Sequence, residues 1–273
     1  MTQTALAVER QRGTWWQASL KSGGVRRIAI FVLSLSCAVL LWTLLAWWVG
    51  KPAFLPSPEK TLDGALELIG SGDLQNHVIA SFTRILIGFV IGTAIGIPLG
   101  LAMGSSQFIR AFMDPYVEFF RFIPPIAFVS LAVIWFGLGE TSKIVLIVYT
   151  TLFMVAINTM IGVLGLDPDK RFAALCLGAT QRQVFLHITI PAVIPNIVTG
   201  MKIAMGNSFM TVVSAEMVAA KSGVGFLIYN SRLFLLTEWI FVGIITLGLM
   251  GFITDRALRI AATTLLSRYE VRI

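Results

Sequence analysis

The chain has 273 residues, 56% hydrophobic and only 13% charged, roughly half the charged share of a soluble domain. A surface so poor in charge faces lipid, which excludes an ordinary soluble protein. The net charge of +7 does not signal nucleic acid, because no stretch joins clustered Lys and Arg to stacking aromatics on a polar face. With two cysteines, a disulfide scaffold or thiolate metal site is implausible, and Cys37 and Cys176 read as small buried hydrophobes.

The predicted architecture is all-α, with six transmembrane helices. Residues 28–49 are uncharged and follow Arg26-Arg27, long enough to cross about 30 Å of hydrocarbon. They are too long for a signal-peptide core, so the segment is expected to be retained behind a cytoplasmic tail, 1–27. Further spans are expected at about 85–104, 122–139, 144–166, 192–215 and 239–257, so that 28–273 makes one membrane domain. With the N-terminus inside, 14 Lys and Arg fall inside, six outside and one, Lys202, within a span, which is the positive-inside bias and puts both termini in the cytoplasm. Segment 50–83, with Pro52, Pro56, Pro58 and four acids, reads as an outer linker carrying one short helix.

In the second span Gly88, Gly92, Gly96, Gly100 and Gly104 recur every four residues, a stripe suited to close helix packing or, alternatively, to a pore wall. Pro124-Pro125, beside Glu118 and Arg121, marks either one end of a pathway or a plain helix start. Buried polar groups are few: Asn158 in the fourth span, and Lys202, Asn207, Ser208, Thr211, Ser214 and Glu216 in the fifth. Asn207, Thr211 and Ser214 share one helical face with Ser208 adjacent, a candidate translocation surface whose alternative is interhelical hydrogen bonding. Glu216, ionisable near the outer end of its span, must face a partner or water, and Lys202 is close enough to the inner end to snorkel. His77 and His187 lack companions at metal-ligand spacing, so neither metal nor cofactor is expected in this chain.

Segment 167–195 is too polar to span and too patterned for an idle linker. Asp167 or Asp169 can cap a short helix that ends at Gly178, and a second is expected from Thr180 to Pro191. Ala173-Ala174, Gly178 and Ile188-Thr189-Ile190-Pro191 resemble the EAA loop of ABC importer permeases in residue and spacing. Phe172 stands where the family has Glu, and Ile190 where it has Leu. The resemblance extends through Leu55-Pro56-Ser57-Pro58, Phe122-Ile123-Pro124-Pro125, Trp135-Phe136-Gly137-Leu138-Gly139-Glu140 and Gly223-Val224-Gly225-Phe226-Leu227-Ile228. Together these are similar to the nitrate/sulfonate/bicarbonate/taurine subgroup, and Ile134 to Lys143 looks most like taurine and alkanesulfonate permeases.

The resemblance implies a type I ABC importer permease fold in the bacterial inner (plasma) membrane, surrounded by lipid and built as a homodimer of permease subunits. Two ABC ATPase subunits would bind ATP and Mg inside, and a periplasmic or extracellular solute-binding protein would deliver a small anionic solute outside. This chain lacks a phosphate-cradling Gly-x-x-x-x-Gly-Lys-Ser/Thr run, so it is expected not to be an enzyme. The resemblance assigns coupling to the ATPase to Arg171, Phe172, Ala173, Ala174, Gly178, Ala179, Ile188 and Pro191. The broken-helix and buried polar positions give the candidate pathway as Arg121, Pro124, Pro125, Asn158, Asn207, Ser208, Thr211, Ser214 and Glu216, and the resemblance implies an outer gate at Gly223, Gly225 and Phe226. An ion-coupled secondary transporter would be expected to show inverted repeats or a mid-membrane carboxylate, and a membrane enzyme would need an acid-base pair at membrane depth; the sequence offers neither.

Overall fold

The computed structural model describes residues 23–265; most of the N-terminal tail and the end of the C-terminal tail lie outside them. The chain forms two compact units, Met1–Leu62 and Asp63–Ile273. The first contains α1 (Gly23–Val49), apolar on every side, and a turn in which the Trp42 indole N–H donates to the Pro56 carbonyl at 3.0 Å. α2 (Pro58–Gly70) carries the chain into the second unit.

The second unit is wholly helical among the described residues. α3 (Asp73–Ser105) starts twelve residues before the expected span, because Gly72, at φ +82°, turns the chain and the polar residues that follow can continue the helix. α4 (Gln107–Arg121) and α5 (Val129–Phe136) are separated by a 3-10 turn, Pro125–Phe128, and bend 88° from one another. The third span expected at 122–139 is therefore half of a bent pair, and the segment before it is also a helix. α6 (Glu140–Leu164), α9 (Ile190–Ala219) and α11 (Thr237–Leu265) are long and apolar, while α7 (Pro168–Cys176), the single turn α8 (Gln181–Val184) and α10 (Val224–Leu233) are short. Among the described residues five helical stretches are long and apolar enough to cross a membrane, or six if the bent pair is one span.

The core is α3 on α6 on α9. The glycine stripe of α3 lies on α6: a Cβ at Gly88 would meet Ile147 Cβ at 2.6 Å, and one at Gly92 would meet Thr151 Cβ at 2.6 Å. Since lipid is as apolar as Leu, this close backbone approach is what holds such helices together. Gly162 and Gly200 repeat the device between α6 and α9, against Asn196 and Asn158.

Both cysteines are exposed, which corrects their reading as buried hydrophobes. Cys37 lies on α1, where a thiol sits among apolar residues without needing a core, and Cys176 ends α7, which has no buried residue.

Candidate functional site: a cavity at a broken helix

The break between α4 and α5 exposes backbone carbonyls that would be costly in hydrocarbon. Tyr149 of α6 answers this: its hydroxyl donates to the Phe120 carbonyl and lies 3.4 Å from that of Ile123. Its ring packs edge-on against Phe128. Pro124 and Pro125 form the corner, where missing amide donors cost nothing because the helix has already ended.

Beside this corner is a cavity of about 260 Å³ whose wall includes Arg121, Pro124, Pro125, Asn207, Thr211 and Ser214. Six of the nine residues expected on a pathway thus meet at one place, although Arg121 and Ser214 are 93 positions apart in sequence. The Arg121 guanidinium stacks over the Phe122 ring at 4.7 Å and, among the described residues, has no carboxylate partner. Thr211 also bonds Thr150 at 2.9 Å, so it both lines the cavity and joins α6 to α9.

The other three lie elsewhere. Ser208 is fully buried and bonds Thr151 at 3.1 Å. Asn158 donates to the Met154 carbonyl and packs on Gly200. Glu216 is 0% exposed and does not line the cavity, accepting from Ser81 Oγ (2.8 Å), Arg84 Nη1 (2.7 Å) and the Gly225 amide (2.9 Å).

That cluster was not legible beforehand. Arg84 bridges Glu216 and Glu140, and also donates to the carbonyl and hydroxyl of Ser222. Ser81 Oγ accepts the Val224 amide, and His77 Nδ1 accepts that of Gly223. Segment 222–225, with Gly223 at φ +118°, is thereby fastened to α3 and α9, and Phe226 tilts against His77. The one available signal was a pair of opposite charges, Arg84 and Glu216, near the same ends of two spans.

At the other end of α9 the helix pair is built as its sequence dictates. Asp167 caps α7 through the Asp169 amide at 2.9 Å, and Thr180 and Gln183 form a reciprocal capping box. Gly178, at φ +87°, makes the left-handed turn between them. Arg171, Phe172 and Ala173 are exposed, and Leu177 is 88% exposed at the tip. Ala174 and Ala179 are half-buried behind them. Pro191 does not end the second helix: residues 185–189 widen into a π-turn in which the Ile190 amide reaches the Phe185 carbonyl, and Gln181–Ala219 runs on as one stretch through Ile188 and Pro191. Among the described residues no three His, Cys, Asp or Glu side chains group as metal ligands.

The molecule is thus a helical membrane bundle with a cavity at a broken helix and a capped, largely exposed helix pair at one end of α9. Residues 92–265 match the family described as binding-protein-dependent transport system inner membrane component, and the chain belongs to that family. It is 36% identical over 238 residues to the taurine transport system permease protein TauC of Escherichia coli K12, covering 83% of this chain and 86% of that one. It is 39% identical over 201 residues to the putative aliphatic sulfonates transport permease protein SsuC of the same organism (74% and 76% covered). The nitrate import permease protein NrtB of a Synechocystis strain is 31% identical over 233 residues (82% and 84% covered). A chain of the inward-facing MetNI methionine ABC transporter superposes with a TM-score of 0.57 at 19% identity, covering 68% of this chain and 94% of that one, a likeness of fold. The protein is thus a multi-pass ABC importer permease for a small solute, not an enzyme; in this binding-protein-dependent family ATP hydrolysis belongs to separate subunits.

Proposed function

We propose that the chain forms half of a pathway for a small anionic solute, with taurine or an alkanesulfonate favoured. The observation that carries this is the cavity of about 260 Å³. It offers one guanidinium without a carboxylate partner among the described residues, flanked by the Asn207 amide and the hydroxyls of Thr211 and Ser214, against an apolar wall. A sulfonate needs a cation and several donors around three oxygens, with apolar surface for its carbon chain. Asn207, Thr211 and Ser214 each donate to an α9 carbonyl one turn back, so the solute would take the second hydrogen of the Asn207 amide and the two hydroxyls after they rotate away from those carbonyls. The names of the two sulfonate-related relatives agree with that chemistry. Asn158 and Ser208 support the pathway from behind.

Two copies of the chain would face one another in lipid, with both termini cytoplasmic. The pair 168–191 would dock on two ATPase subunits that hold ATP and Mg. Arg171, Phe172, Ala173, Ala174, Gly178, Ala179, Ile188 and Pro191 would form or shape that contact, with exposed Phe172 and Leu177 supplying apolar area in place of the family's Glu. Gly223, Gly225 and Phe226 would belong to the outer gate.

The test is ATPase activity of the reconstituted complex with its binding protein, with taurine, an alkanesulfonate, nitrate and bicarbonate added in turn. Stimulation by a sulfonate is expected. Stimulation by nitrate or bicarbonate alone moves the cargo to that anion, and stimulation by none overturns the anion reading.

A further inference from the structure

The guanidinium of Arg84 uses all five of its donors. Nε and Nη2 bond Glu140, Nη1 bonds Glu216, and the remaining two hydrogens of Nη1 and Nη2 go to the carbonyl (2.7 Å) and hydroxyl (3.0 Å) of Ser222. The charges in this cluster all belong to long helices: Arg84 to α3, Glu140 to α6, Glu216 to α9, and Lys143, which bonds Glu140 at 3.3 Å, to α6. Segment 222–225 brings no charge of its own. It is held by five hydrogen bonds, two from Arg84 and three from its own amides to His77, Ser81 and Glu216.

Pulling apart a buried ion pair strands a charge in low dielectric and is strongly unfavourable. Lifting 222–225 separates no ion pair. Arg84 would keep Glu216 and Glu140, the latter 58% exposed and already open to water, and each freed amide and carbonyl would gain a water molecule.

We propose that Arg84, Glu216 and Glu140 form a fixed charged seat for a detachable neutral segment, and that Arg84 is the positioning residue that defines the closed state of the outer gate. Glu216 on this account contacts the gate and not the solute. The inference rests on the reading of 223–228 as a gate.

The test is performed on the complete permease–ATPase complex in lipid, with Cys37 and Cys176 replaced by Ser and a single reporter, Val224→Cys, at a fully buried position. The readout is the rate of labelling by an impermeant maleimide added from outside. Without Arg84 the segment loses two bonds and the order of its carboxylate partner, so Arg84→Ala is expected to raise labelling of the nucleotide-free complex at least tenfold, and Arg84→Lys, with too few donors for the seat, is expected not to restore it. If labelling of the unmutated seat responds to ATP and Mg but Arg84→Ala leaves the resting rate unchanged, the seat is overturned while the gate reading stands. If labelling responds to no nucleotide state even in the unmutated seat, the gate reading itself fails. Should Arg84→Ala not assemble, Ser81→Ala leaves the ion pairs in place while removing the Val224 amide's acceptor and one donor to Glu216, and is expected to raise labelling a few-fold; an unchanged rate overturns the proposal.

Discussion

Gly223 lies so close to Glu216 that a methyl group built on its Cα would overlap the carboxylate carbon and both oxygens. Its φ of +118° is also one that L side chains rarely adopt. Gly223→Ala therefore has to displace either the segment or the acid, at a cost of about 1–3 kcal/mol in backbone strain alone. The expected result is a lower Tm in detergent together with solute-independent ATPase activity raised relative to the stimulated rate. A variant matching the parent in both would contradict the geometry.

The α3 glycines provide an internal control. A Cβ at Gly88 or Gly92 strikes α6 side chains at 2.6 Å, whereas Gly248 and Gly251 of α11 have nothing within 4 Å. Gly92→Ala is expected to destabilise by about 1–3 kcal/mol, the range for overpacking. Gly248→Ala and Gly251→Ala are expected to leave stability unchanged or slightly improved, since Ala favours helix. Thermal unfolding of the three purified variants decides it; equal Tm values would mean the stripe does not set the helix spacing.

At the cavity, removing the cation has a distinct kinetic signature. Arg121→Ala is expected to raise the KM of transport about tenfold for a sulfonate, near 1.4 kcal/mol of lost attraction, with little change for a neutral analogue of the same size. Arg121→Lys keeps the charge and is expected to recover part of the loss. Equal effects on charged and neutral solutes would leave Arg121 a structural residue of the α4–α5 break.

In the protruding pair, Gly178→Ala strains the left-handed turn at φ +87° without a clash, as nothing lies within 4 Å. Phe172→Ala and Leu177→Ala leave the turn intact and remove exposed apolar surface. All three are expected to reduce co-purification of the ATPase subunits, while only Gly178→Ala also alters the helical content of the pair. Undiminished binding in the two surface variants would remove the loop from the ATPase contact.

Much of the fold was legible because the bilayer imposes simple rules on sequence. The apolar stretch of α1, the four-residue glycine repeat of α3 and the caps around Gly178 each state their local structure directly. What stayed hidden depends on which helices become neighbours. A lone Arg at a span's edge normally reaches water, so nothing in the sequence singled out Arg84, which is buried between two carboxylates 56 and 132 positions away. Only the half after Pro124-Pro125 is apolar enough to read as a span; residues 107–121, which carry Arg110, Asp114, Glu118 and Arg121, read as an inner segment, so their pairing with it across the bend stayed hidden. At the candidate site the polar face of α9 was visible as spacing, but its division into cavity residues and a buried Ser208–Thr151 contact required the position of α6.

The central claim, an ATP-driven permease for a small sulfonate, is tested most directly by accumulation of labelled taurine in proteoliposomes containing the permease, its ATPase subunits and its binding protein. The account predicts accumulation against a gradient that requires ATP, survives an uncoupler, and falls with Arg121→Ala. Accumulation that collapses with the uncoupler while ATP remains, or that is absent for every sulfonate while another solute accumulates, would contradict it.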